Sequence, residues 1–319
     1  MEKKCAVLLV NLGTPELATK KSVRKFLTSF LLDKRVVDMS RFFWLPILFL
    51  VILPFRVGRV SKLYQKIWGK EGSPLRVLSE SLSIKLDKAL KKEDVQCVLA
   101  MTYGSPSIAS VLQNLADSGI TQLTIIPLFP QYSVSTTAPI FDQVALFIKK
   151  QSYFPEIIFK NNYHDNPLYI SALCKSIEAH WLIHGRAKKL IFSFHGIPQR
   201  YVDKGDPYQH QCEASVALVV NKLGLKPSEY LLGYQSRMGR EVWLMPYIDQ
   251  KLIELAKTGC DSVDIICPAF ATDCLETLEE MAIQNKKLFL DAGGKEFHYI
   301  ACLNDSRSQI KLLATLALN

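Results

Sequence analysis

The sequence predicts an α/β fold with two four-stranded parallel sheets, and three observations predict it. Short β-branched runs alternate with longer amphipathic stretches, the pattern of β-α units. Eight such runs can be marked, enough for two sheets of four. An apolar share of 49% over 319 residues suits one large or two medium domains and argues against a disordered chain.

The first run, Cys5 to Val10, is ended by Asn11, Gly13 and Pro15, which hold it well below signal-peptide length, so it reads as a buried strand. Next comes Phe42 to Phe55, FFWLPILFLVILPF, apolar throughout but shorter than the roughly 20 residues of a membrane-spanning helix. Pro46 and Pro54 interrupt it, and Arg41 and Arg56 flank it. Behind it Arg56, Arg59, Lys62, Lys66 and Lys70 follow at helical spacing with no acid between them. The combination predicts a segment that dips into a membrane surface while its cations face anionic headgroups; a buried core helix beside a solvated basic face is the alternative.

Further strands are expected at Gln96 to Met101, Leu123 to Leu128 and Glu156 to Phe159. The stretch QSYFPEIIFKNNYHDN, residues 151–166, lacks helical periodicity and places a domain boundary, drawn between residues 155 and 156. The second domain, residues 156–304, carries strands at Leu190 to His195, Tyr230 to Tyr234, Val263 to Cys267 and His298 to Ala301. Residues 305–319 read as a helix that packs back on the first domain.

The net charge of +9 has no nucleic-acid motif or interleaved aromatic platform beside it, so no nucleic-acid partner is expected. Eight scattered cysteines without a C-x-x-C pair point to a reducing compartment and exclude a local zinc or iron-sulfur motif.

In open α/β sheets ligands gather beyond the carboxyl ends of the strands. The distinctive residues lie there: 11–15, 103–106, 130–137, 195–198, 235–240 and 268–276. His195 closes the run LIFSF and is followed by Gly196 and Pro198, so its imidazole sits where a base or a metal ligand is useful. Glu276 and Glu280 are spaced to share one helix face. Glu276 has a structural alternative, as the far member of a capping box with Asp273. One histidine and one carboxylate are too few for tight metal binding, and fit a site that holds an ion briefly. A hydrolase built on Ser193 or Ser236 is a weaker reading, because neither serine lies in G-x-S-x-G.

SFHGIPQRYVDKGDPY (193–208), YQSRMGREVWLMPY (234–247) and CPAFATDCLETLEE (267–280) closely resemble the ferrochelatase family. NLGTP, GSPL, TYGSPS and PLFPQYSVSTT follow in the expected order, so the resemblance spans nearly the whole chain. It implies two Rossmann-like domains of the chelatase fold, a porphyrin cleft between them, and a lid over residues 42–75. It implies His195 and Glu276 as catalytic and metal-handling residues, with Glu280 as a relay for a proton or an ion. Trp243 and Tyr132 match aromatic positions of the family's pocket, Leu12 a position facing the ring centre, and Ser73 its lip; Lys66 and Arg59 are candidates for the propionates.

Ferrochelatases of the coproporphyrin branch carry tyrosine where this chain has Leu12, so the resemblance favours protoporphyrin IX, with ferrous iron as the second substrate. Cys274 stands where animal members carry a histidine. The C-terminal cysteine trio of animal members is absent, so neither an iron-sulfur cluster nor any other cofactor is expected. The implied location is the cytoplasm, at the inner face of the membrane. Coproporphyrin III, another divalent metal, or a porphyrin carrier without catalysis are the alternatives.

Overall fold

A computed structural model describes residues 4–239 and 241–319. Arg240, at the end of the distinctive 235–240 loop, lies outside them. Eight strands form two sheets: β1 (Cys5–Asn11), β2 (Val95–Met101), β3 (Gln122–Pro127) and β4 (Glu156–Phe159) in one, and β5 (Lys189–His195), β6 (Tyr230–Gln235), β7 (Ser262–Ile266) and β8 (Glu296–Ile300) in the other. Every pairing is parallel, and the orders are β2-β1-β3-β4 and β6-β5-β7-β8. Parallel strands need crossover helices, which cover both sheet faces and explain why the strands read as unbroken apolar runs.

The chain divides into two compact units, residues 4–129, 133–161 and 310–319 in the first and residues 130–132 and 162–309 in the second. The boundary expected at 155/156 therefore moves to 161/162. The reason is β4, which pairs with β3 from Gln122↔Glu156 to Ile125↔Phe159 and completes the first sheet. The last helix is Arg307–Leu318, and from Ile310 onward its residues group with the first unit.

In the first unit Ala6, Leu8 and Val10 of β1 join Ala100, Leu123 and Ile125 in a core closed by helices Ile108–Asp117 and Thr137–Ile148. In the second, Ile191, Val263, Ile265 and Phe297 pack with Leu252, Met281 and Phe289.

The apolar segment departs from expectation. Arg41–Ile67 is one continuous helix of 27 residues that runs through Pro46 and Pro54, with a π turn at Leu48–Ile52 between them. A π turn already gives up the regular i→i−4 pattern, and Pro54 falls in the first turn of the α-helix that follows it. The helix is long and apolar enough to cross a membrane by length and composition, so the argument from shortness does not hold. Trp44, Leu48 and Leu53 turn inward, and the Trp44 indole donates to the Leu31 carbonyl at 2.8 Å. Phe42, Leu50 and Phe55 face outward, 82%, 74% and 81% exposed.

Candidate active site

The second sheet reverses its winding between β5 and β7, and the carboxyl ends of strands at such a switch point open a crevice. His195 is the last residue of β5, and the chain leaving β7 supplies the helix with Glu276 and Glu280. The fold therefore brings the expected histidine and carboxylates to one end of one sheet.

His195 is fixed in its tautomer by its own turn. Its Nδ1 lies 2.7 Å from the Gly196 carbonyl, which can only accept, so the neutral ring carries its proton on Nδ1 and keeps a lone pair on Nε2. The rings of Trp243 and Phe270 flank it, each with its centroid 6.5 Å away. Gly196 makes the Trp243 contact possible. A Cβ there would come within 2.9 Å of the Gln235 carbonyl and 3.2 Å of the indole. Trp243 is held by its indole N–H, which donates to the Met238 carbonyl at 2.8 Å.

Glu276 and Glu280 stand on a π-helix, Glu276–Asn285, and not on the expected α-helix. About 4.4 residues per turn keep positions four apart on nearly one face, so the shared-face argument survives. The capping box does not form. Asp273 is buried and spends its carboxylate on Thr277 Oγ1, the Tyr299 hydroxyl and Asn304 Nδ2, at 3.0, 2.6 and 2.7 Å. Leu275, next to the helix, makes no side-chain cap, and the Glu276 side chain lies instead beside the Cys274 thiol.

Glu280 is the most constrained acid of the group. Its Oε1 accepts the Ser236 N–H at 2.8 Å, and its Oε2 accepts the Ser236 hydroxyl and, at 3.3 Å, the Gln235 amide. Burial pushes its carboxyl above the usual range; the Ser236 hydrogen bond and the charge of His195 pull the other way, while Glu276 pushes up.

Gln235, which the sequence placed among the distinctive residues beyond the strands but gave no role, ties these pieces together. It pairs in register with His195, accepts the Ser193 hydroxyl at 2.7 Å on Oε1, and donates through Nε2 to the Glu276 carbonyl at 2.9 Å. Ser193 is thus turned toward Gln235, and Ser236 toward Glu280, which removes the hydrolase reading. Phe270 was also missed; only its place in the loop after β7 hinted at it.

The remaining expected residues are distributed between the units. Tyr132 belongs to the second unit, where its backbone N–H donates to Gln211 Oε1 at 2.7 Å. Leu12 follows β1 in the first unit, half-buried, with its carbonyl accepting the Tyr103 N–H at 2.9 Å. Ser73 is buried, and its hydroxyl accepts that of Thr14 at 2.8 Å, which ties the β1 loop to the start of helix Pro74–Leu90. Lys66 and Arg59 lie exposed on the long helix of the first unit.

The Ferrochelatase family model matches residues 4–319. A ferrochelatase from Aeromonas hydrophila is 47% identical over 318 residues, 99% of this chain and 98% of its own. One from Edwardsiella ictaluri is 49% identical over 316 residues, again 99% and 98% of the two chains. Among solved structures, SirB from Bacillus subtilis with Fe3+ superposes with a TM-score of 0.56 at 11% identity, covering 99% of this chain and 94% of SirB. CbiX, the terminal enzyme of siroheme biosynthesis in denitrifying bacteria, gives 0.53 at 12%, covering 98% and 97%. At such identities these two establish the fold alone, that of the chelatases.

Proposed function

Given that the chain belongs to the ferrochelatase family and inserts iron into a porphyrin, we propose that it acts on protoporphyrin IX and that His195, Glu276 and Glu280 carry the proton traffic. The observation that carries the assignment of roles is the His195 tautomer, which leaves Nε2 with a lone pair at the carboxyl end of β5.

Insertion exchanges two N–H protons of the macrocycle for one ferrous ion. His195 takes a pyrrole proton on Nε2, and Nδ1–H stays on the Gly196 carbonyl, which also steadies the imidazolium that results. Glu280, its carboxyl raised by burial, receives a proton near neutral pH more readily than an exposed acid would. Glu276, one π turn earlier on the same helix, is the group that passes a proton on to that acceptor. Trp243 and Phe270 supply apolar ring surface beside the histidine. Opening the in-plane lone pairs to iron requires a bent macrocycle, with the strain offset by contacts of this kind. Leu12 leaves apolar surface where a tyrosine would add a hydroxyl, and this supports protoporphyrin IX over coproporphyrin III.

The exposed apolar face of the Arg41–Ile67 helix, with Arg56, Arg59, Lys62 and Lys66 on its second half, supports a peripheral position on an anionic membrane surface, with the body of the protein in the cytoplasm. The scattered, largely buried cysteines support a chain without an iron-sulfur cluster.

Anaerobic mixing with ferrous iron and either protoporphyrin IX or coproporphyrin III, followed by porphyrin absorbance, tests the reading. Protoporphyrin should be consumed faster, and His195→Ala should lower the insertion rate by about 10²–10⁴-fold, the range of a lost general base. Near-normal turnover of that variant would overturn the role of His195, while a preference for coproporphyrin would overturn the substrate alone.

A further inference from the structure

A second group of metal-ligating side chains lies at the opposite end of the same sheet. Asp264 on β7 pairs in register with Leu190 of β5, five residues before His195, and with His298 of β8. Five residues of parallel strand are about 16 Å, so this cluster is separate from the site described above. It comprises His180, Asp264 and His298, whose ligand atoms all lie within 4.8 Å of one another.

The geometry is that of an unfilled coordination sphere. Asp264 Oδ1 is 3.3 Å from His180 Nε2 and 3.2 Å from His298 Nδ1. Donors about 2.0–2.1 Å from a tetrahedral ion stand about 3.3 Å apart. His180 Nε2 is buried and makes no hydrogen bond, since its approach to Asp264 lies outside hydrogen-bonding directions. The other carboxylate oxygen is already committed, accepting the Trp181 indole N–H at 2.8 Å and the Ala187 N–H at 3.2 Å. Such outer partners orient a ligating carboxylate, and its Oδ1, which is in hydrogen-bond contact with His298 Nδ1, is the oxygen that faces both imidazoles.

A third imidazole, that of His184, stands beside these three ligands. His184 follows His180 by four residues on helix Pro167–His184, a spacing that places two histidines on one helix face for a shared ion. Its ring centroid is 4.6 Å from that of His180 and 5.6 Å from that of His298. Asp264 is 1% exposed, yet His184 is exposed and His298 is 30% exposed, so an ion can reach the cluster from solvent on that side. Three imidazoles and one carboxylate suit borderline first-row ions and not magnesium or calcium, which prefer all-oxygen sites.

We propose that His180, Asp264 and His298, with His184 as the outer ligand, bind a divalent first-row transition ion such as Zn2+ in a resident site distinct from the catalytic one. The ion fastens helix Pro167–His184 to β7 and β8 and sets positive charge beside a buried carboxylate.

Zn2+ titration calorimetry on the full chain carrying His195→Ala and Glu276→Ala isolates this site from the substrate-iron site. About one Zn2+ per chain should bind, and the melting temperature should rise with it. In the same background His298→Gln and His184→Gln should each weaken binding at least tenfold, with circular dichroism reporting that the fold is retained. Co2+ reads the unsubstituted cluster directly through the visible absorption of a four-coordinate ion. Failure to bind Zn2+ below about 100 μM, an affinity unchanged by both substitutions, or a six-coordinate Co2+ spectrum would each overturn the proposal. In any of these cases the cluster is an ordinary buried Asp-His pair.

Discussion

Ser236 turns both its backbone N–H and its hydroxyl onto the carboxylate of Glu280, and does so from a backbone with φ of 68°, a conformation uncommon outside glycine. That turn, directly after β6, fixes one acid of the π-helix to the strand that pairs with β5. Strain of this kind persists where surrounding contacts over-determine it, and here it holds a carboxylate in a buried position.

The pH dependence of stability follows from that burial. The folded chain holds the Glu280 proton to higher pH than the unfolded chain does. Its contribution to stability is therefore fully present below the unfolded value near 4.3 and is lost as pH rises through the folded value. Glu280→Gln cannot ionise, so its midpoint of urea unfolding should fall less steeply between about pH 4 and pH 8 than that of the unsubstituted chain. Parallel curves for the two proteins would show that the folded carboxyl titrates as the unfolded one does.

Gly13 should tolerate no side chain. It has φ of 105°, and a Cβ built there would stand 1.7 Å from the Tyr103 carbonyl oxygen. Strained φ and overpacking each cost about 1–3 kcal/mol. At about 2–4 °C per kcal/mol, Gly13→Ala should lower the apparent melting temperature by about 5–10 °C. Calorimetry of the purified variant checks this, and an unshifted midpoint would mean that the loop after β1 can rearrange without cost.

The strands and the place of His195 at the end of β5 were legible because each depends on local pattern. Apolar runs bounded by Gly, Pro and Asn mark parallel strands, and a histidine at the end of such a run must sit at the sheet's carboxyl edge. β4 was marked in the sequence but given to the wrong domain, because a domain boundary depends on which strand it pairs with, and pairing is not local. The role of Gln235 was hidden for the same reason: its partners Ser193 and Glu276 are 42 and 41 residues away. The capping box at Asp273 failed because tertiary partners, Tyr299 and Asn304, outcompeted the local one. Nothing in residues 276–285 announces a π-helix, and the prolines of the 41–67 helix misled because the chain stays helical through both, Pro54 in the first turn after the π segment and Pro46 inside the stretch before it.

Thiol chemistry should divide the eight cysteines two to six. Cys5 and Cys260 are half-buried, and the other six are buried. Burial pushes the Cys97 thiol up to about 12 and that of Cys174 to about 11, so neither offers a thiolate at neutral pH. A disulfide reagent should titrate no more than two thiols quickly in the folded protein and all eight after denaturation. A third fast thiol would indicate local opening of one of the units.

The outward face of the Arg41–Ile67 helix gives the test of membrane contact. Phe42 and Phe55 are more than four-fifths exposed, while Trp44 and Leu48 on the inner side anchor the helix to its own unit. Replacing the two phenylalanines with serine therefore removes apolar surface without disturbing the packed side. Burying such a side chain contributes about 1.5–3 kcal/mol, so losing even half of that at two positions weakens partitioning at least about tenfold. Flotation with vesicles containing anionic lipid should show the intact chain bound at low salt and the Phe42→Ser, Phe55→Ser chain largely free. Added salt should release the intact chain in part, because Arg56, Arg59, Lys62 and Lys66 contribute about 1 kcal/mol each near a charged surface and the attraction is screened. Equal flotation of the two proteins would mean that the exposed face serves substrate access alone and not attachment.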